Sequence, residues 1–135
     1  EYLDFIHRTK TSHFGFNIDF GTFQTKPGKG MEDLPMGNFD DVTKPEEIVD
    51  FLPYSWACHG KFTGVNENFE EETIPYAEVI KYMIDNGWSG DILSEYEGAI
   101  RFHAEEGPMQ YGQSMVEIPE QVRRHQIMLR NILGY

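Results

Sequence analysis

The sequence predicts an α/β fold in which parallel strands alternate with helices, and three observations carry that reading. Short apolar runs bounded by turn residues read as buried strands: Phe16-Asn17-Ile18-Asp19, Trp56-Ala57-Cys58-His59 and Asp91-Ile92-Leu93-Ser94-Glu95. Segments of helical periodicity separate them, the pattern of a parallel sheet covered by helices. Asp19, His59 and Glu95 also stand one at the end of each run, where α/β barrels and open α/β sheets place their chemistry.

Taken in order, the first dozen residues carry helical periodicity with Leu3, Ile6 and Phe5 on the apolar side, and His13-Phe14-Gly15 breaks it before the first strand, which Gly21 bounds. From Gln24 to Thr43 the residues Pro27, Gly28, Gly30, Pro35 and Gly37 mark a long loop, a lid or partner contact, or else a tolerated insertion. Thr43 or Lys44 caps a short helix with Pro45 in its first turn, and Pro53 is expected to stop it near Leu52. The second strand lies within 54–62. After a polar stretch, Thr63 to Thr73, Ile74-Pro75-Tyr76 opens a helix with Val79, Ile80, Met83 and Ile84 at helical spacing, ending at Asn86-Gly87. The third strand follows. A glycine-rich loop through Gly98, Gly107 and Gly112 leads to a last helix from about Pro119 to Leu133, with Val122, Ile127, Met128, Leu129 and Ile132 apolar and Arg123, Arg124 and His125 expected to face water.

A chain of 135 residues suffices for one domain with a real core, and 39% hydrophobic with 14% aromatic residues is a globular composition. Opening on Glu1-Tyr2-Leu3-Asp4, inside an amphipathic pattern and without an initiator Met, it reads as a region cut from something longer; a mature chain after processing is the alternative. The net charge of −12, from 23 acidic and 11 basic residues, argues against nucleic acid as a partner, because phosphates are neutralised by clustered Lys and Arg. Glu67, Glu70, Glu71 and Glu72 read as a solvated loop. The single cysteine, Cys58, cannot close an internal disulfide, and no signal peptide or membrane span is evident, so a cytoplasmic setting is expected.

Carboxylates and an imidazole are ligands for a hard or borderline divalent cation. Side chains two apart on a strand share a face, which groups His59 with Lys61 and Glu95 with Glu97. A cation held there could polarise a carbonyl or hydroxyl oxygen, with a neighbouring carboxylate moving a proton. Lys61 is then a substrate contact, a general acid or a lysine reaching to solvent. Glu97 is an acid/base, a partner to the metal ligands or a salt bridge to Arg101. Arg101 and His103 follow the last strand and could meet substrate, His7 and His13 read as surface residues, and Phe23 and Trp56 are core residues or the wall of an aromatic pocket.

The segments Asn17-Ile18-Asp19-Phe20-Gly21, His59-Gly60-Lys61 and Gly90-Asp91-Ile92-Leu93-Ser94-Glu95-Tyr96-Glu97-Gly98 resemble the fifth, sixth and eighth strand motifs of the xylose isomerase-like sugar isomerase/epimerase superfamily. That resemblance implies the C-terminal half of a TIM (β/α)₈ barrel, strand five to helix eight over 1–135, with a vestigial seventh strand between His59 and Glu95. It also implies a divalent ion, often manganese, with magnesium, cobalt or zinc as alternatives. Asp19, His59 and Glu95 match three of its ligands, and the fourth, a Glu, would lie upstream of residue 1. The implied function is an isomerase or epimerase acting on a sugar or sugar-like polyol, with Lys61 and Glu97 as the catalytic candidates. Two positions depart from the pattern: Thr22 replaces a His found in many epimerases, and Phe62 an acidic residue. The Ser94-Glu95-Tyr96-Glu97-Gly98 segment and Glu120-Gln121-Val122-Arg123-Arg124-His125 also resemble the α subunits of C-glycoside deglycosidases. Those lyases cleave an oxidised sugar C-glycoside by metal-assisted elimination and work with a small β subunit. A non-catalytic half-barrel binding a partner chain is a third reading. A half-barrel leaves sheet edges unpaired, so an oligomer or a complex with another chain or a missing N-terminal half is expected.

Overall fold

The computed structural model describes residues 1–10, 12–28, 39–97 and 111–135, with 111–117 as backbone only. Its sheet has three parallel strands in the order β1 (Phe16–Asp19), β2 (Ser55–Phe62) and β3 (Asp91–Tyr96). Helices α1 (Tyr2–Thr9), α2 (Tyr76–Asp85) and α3 (Tyr111–Leu133) and two 3₁₀ segments, Phe20–Phe23 and Pro45–Tyr54, complete the described elements. The alternation of strand and helix is thus as expected, and α3 begins before Pro119, which it contains. Residues 29–38 of the long loop, and 98–110 with Arg101 and His103, lie outside the described residues.

Three local expectations are corrected. Pro53 does not end the segment that Pro45 opens, because the turn is 3₁₀: it runs to Tyr54, and the Ser55 N–H closes it on the Leu52 carbonyl. Of the two caps the sequence offers, Thr43 and Lys44, it is Lys44 that caps the segment, its N–H donating to the Glu47 carboxylate at 3.0 Å. No strand lies between β2 and β3 among the described residues; the two pair directly, and the vestigial strand expected there is a turn closed by one antiparallel bridge, Val65 to Glu71. Side chains claim its backbone donors. Asn66 Oδ1 accepts from the N–H groups of Asn68 and Glu70, and the Glu71 carboxylate accepts from Thr73 N–H at 2.7 Å and Ile74 N–H at 2.6 Å. Glu71 is therefore a structural acceptor with its carboxyl pushed up by burial, and not part of a solvated run.

The pleat divides the sheet into two faces. Ile18, Cys58, Gly60 and Phe62 are buried on one, against helices; Asn17, Asp19, Ala57, His59, Lys61, Leu93 and Glu95 alternate onto the other. A bulge explains the exception. Phe16 registers with Ser55 but Asn17 with Ala57, so Trp56 is an extra residue in β2 and turns outward at 55% exposure instead of entering the core. Trp88 is buried and donates its indole N–H to the Ser55 carbonyl at 2.6 Å, holding the start of β2. The core gathers Phe20, Phe23, Ile48, Leu52, Val79, Ile80, Met83, Met128 and Leu129. Phe23 is wholly buried in it and does not line an open pocket.

His125 is the largest correction. It is completely buried, stacked on Phe62 at 4.2 Å and edge-on to Tyr76 at 5.0 Å. Arg123 and Arg124 instead reach back to Glu120, which leaves the Met128 and Leu129 face of α3, His125 included, to meet the sheet. Burial pushes this imidazole down to about 4, against 6.5 for an ordinary histidine. The unfolded chain therefore takes up a proton that the folded chain refuses. The stabilisation is complete above the ordinary value and is lost as pH falls toward the folded one, by roughly 3 kcal/mol from this group. Urea unfolding at neutral and acid pH should show a larger acid loss for the unaltered chain than for His125→Phe; equal losses would place the acid sensitivity elsewhere.

Candidate metal centre

Asp19 ends β1, and its register partner on β2 is His59. Glu95 on β3 is level with Lys61, two residues beyond the partner of His59. His59 is thus within its strand rather than at the end, since β2 continues to Phe62. The three expected ligands nonetheless converge: one ligand atom from each of Asp19, His59 and Glu95 lies within 4.8 Å of the others.

Their contacts show how each is held. The Gly21 N–H donates to Asp19 Oδ1 at 2.7 Å, so the 3₁₀ turn after β1 orients the carboxylate. Gly21 has to lack a side chain here, because a Cβ would stand 2.8 Å from Lys61 Cδ and 3.0 Å from Asp19 Oδ1. The other oxygen, Asp19 Oδ2, is 2.9 Å from Lys61 Nζ, and Lys61 Nζ is 3.3 Å from Glu97 Oε1. Desolvation alone would lower the Lys61 ammonium, but hydrogen bonds and charge from Asp19 and Glu97 outweigh it and raise the value above the ordinary 10.5. Glu97 pairs with Lys61, which is one of the roles its position allows; the Arg101 alternative lies outside the described residues.

Glu95 Oε2 stands 3.1 Å from His59 Nδ1, yet without the alignment of a hydrogen bond. Among the described residues that oxygen is shut off from solvent and has no hydrogen-bond partner. A carboxylate oxygen so enclosed is stabilised by a cation or a donor, a role open to a bound metal ion or to the adjacent His59 imidazole. Atoms bound about 2.1 Å from a divalent ion are separated by roughly 3 Å when adjacent and roughly 4.2 Å when opposite. The observed cluster needs only small adjustments to fit, and its mixed oxygen and nitrogen donors suit such an ion.

Several residues outside the sequence reading support this geometry. Tyr76 donates its hydroxyl to the Lys61 carbonyl at 2.7 Å, and burial, with nearby carboxylates, raises its pKa far above the ordinary value. His125 meets Ser94, the neighbour of Glu95, at 2.8 Å. Spacing could have found His125, which precedes Met128 and Leu129 by a helical turn; nothing in the sequence marks the Tyr76 bond. Thr22, where the resembling epimerases often carry His, is tied to Thr43 by hydroxyls 2.7 Å apart. Phe62 lies on the buried face, so no acid at that position would reach the cluster.

No family model matches the chain. Part of it is similar to the C-glycoside deglycosidase alpha subunit of Microbacterium trichothecenolyticum, 46% identical over 89 residues, 63% of this chain and 23% of that protein. A stretch of 50 residues, 37% of this chain, is 42% identical to 14% of the C-glycoside deglycosidase alpha subunit of Arthrobacter globiformis. Another of 55 residues, 41% of this chain, is 38% identical to 16% of the 3'-dehydrocarminate deglycosidase alpha subunit of a Microbacterium species. The matched stretches thus span less than a quarter of these relatives.

Gly60 separates His59 from Lys61 on the buried side, where a Cβ would stand 2.7 Å from Ile92 Cγ2 and 2.9 Å from His125 Cε1. Gly60→Ala should therefore lower the unfolding free energy by about 1–3 kcal/mol in urea titrations, as overpacking does; an unchanged midpoint would contradict the close packing of β2 against α3.

Proposed function

We propose that this chain contributes a divalent-metal centre to a lyase of the C-glycoside deglycosidase type, which cleaves the carbon–carbon bond between an oxidised sugar and its aglycone. The observation that carries the reading is the convergence of Asp19, His59 and Glu95, with a Glu95 oxygen enclosed and lacking a hydrogen-bond partner among the described residues. The names of the relatives support a deglycosidase rather than the isomerase or epimerase of the superfamily resemblance.

A divalent ion, with manganese the leading choice, would supply Lewis-acid polarisation of substrate oxygens. Asp19, His59 and Glu95 would hold it. In the elimination a base takes the proton from the carbon beside the sugar carbonyl, and the freed electron pair becomes a carbon–carbon double bond. That double bond forms to the sugar carbon bearing the aglycone as its bond to the aglycone breaks, and the aglycone carbon leaves with the electron pair of the broken bond and takes a proton. Glu97 is the base candidate, a carboxylate on the same face as Glu95. Lys61, an ammonium between two carboxylates, is the donor to a substrate oxygen or to the departing carbon.

The three parallel strands with covering helices are compatible with a segment of a (β/α)₈ barrel, in which the ligand-bearing strands would be direct neighbours. The relatives are named alpha subunits, and the site face carries Trp56 and Leu93 exposed at 55% and 54%; both support a working form in complex with more protein.

Isothermal titration with Mn²⁺ tests the centre directly. Binding to the unaltered chain should weaken in His59→Gln and Glu95→Gln by more than the roughly 10- to 100-fold that loss of a supporting partner costs. Chelator treatment of the full protein should stop aglycone release from an oxidised sugar C-glycoside. Isotherms unchanged by both substitutions would overturn the assignment.

A further inference from the structure

We propose that His125 is a positioning residue for the metal centre, acting from the opposite face of the sheet through the cross-strand pair Gly60 and Ser94; the inference rests on the metal reading above. Gly60 and Ser94 are register partners, and each adjoins a ligand, Gly60 next to His59 and Ser94 next to Glu95. The imidazole touches both. Its Nδ1 is 2.8 Å from Ser94 Oγ, and its Cε1 lies so close to Gly60 that a Cβ there would be 2.9 Å away. Gln126, the next residue of α3, donates to the same Ser94 hydroxyl at 2.6 Å, so that hydroxyl is held from two sides.

The same layer reaches the rest of the centre. Phe62 stacks on the imidazole with an interplanar angle of 1°, and Tyr76, packed edge-on against it, holds the Lys61 carbonyl. The backbone on which His59, Lys61 and Glu95 are mounted is thus fixed from behind, as a site sensitive to displacements near 1 Å requires.

The choice of residue supports a positional role over a packing one. His125 Nε2 is buried without a hydrogen-bond partner among the described residues, a cost that a leucine of similar bulk would avoid. A polar contact to Ser94 is what imidazole offers here and leucine does not.

Mn²⁺ titration of the full chain, at a temperature well below unfolding and with circular dichroism as a check on the fold, separates the two roles. His125→Phe, which keeps an aromatic ring on Phe62, and Ser94→Ala should each weaken Mn²⁺ binding by roughly 10-fold. His125→Asn, which places a polar group where Nδ1 stands, should recover much of that loss. A packing residue would instead lower the melting temperature of His125→Phe and leave the affinities of both variants unaltered, and this result would overturn the inference. Should His125→Phe fail to fold, Ser94→Ala alone decides, by weakened or unaltered affinity. Absence of Mn²⁺ binding by the unaltered chain would be a different failure, removing the metal reading and with it this inference.

Discussion

The structure depends on the two-residue repeat of β2. Because side chains alternate across a strand, one short segment has both to seal the core and to present chemistry, and each position can do only one of these. Cys58, Gly60 and Phe62 take the first task; His59 and Lys61 take the second. The two flanking strands follow the same alternation, since register pairs Asp19 with His59 and Glu95 with Lys61. A slip of one residue would bury the lysine and expose Phe62, so the hydrophobic effect that keeps Phe62 inside also keeps the ligands together.

This dependence explains what the sequence revealed. The grouping of Asp19, His59 and Glu95, with Lys61 beside His59 and Glu97 beside Glu95, needs only the strand period and the parallel order, whereas the ion pair of Lys61 with Glu97 emerges only from the structure. The bulge at Trp56 does not follow from the period, because an extra residue changes the face of a side chain without a mark in composition. His125 was hidden by its neighbours. In the triplet Arg123-Arg124-His125 polarity suggests one exposed patch, whereas the geometry of a helix separates them, and the two arginines turn to Glu120 while the imidazole enters the core. Glu71 was concealed in the same way among acidic neighbours, and its role as an acceptor for two backbone N–H groups emerges only from the fold of the turn.

The relatives and the geometry speak to different links of the argument. Partial matches to deglycosidase alpha subunits bear on the reaction, and the clustered side chains bear on how a cation could be held; neither is derived from the other. The superfamily resemblance matches Asp19, His59 and Glu95 alike to metal ligands, and the enclosed Glu95 Oε2 has no hydrogen-bond partner among the described residues, with His59 Nδ1 3.1 Å away.

The lysine between Asp19 and Glu97 has an electrical consequence. Asp19, Glu95 and Glu97 bring three carboxylates to the mouth of the sheet and Lys61 brings one ammonium, so acid outnumbers base on that face. Under the proposed reading, that surplus draws positively charged guests toward the face and repels anions before any contact forms.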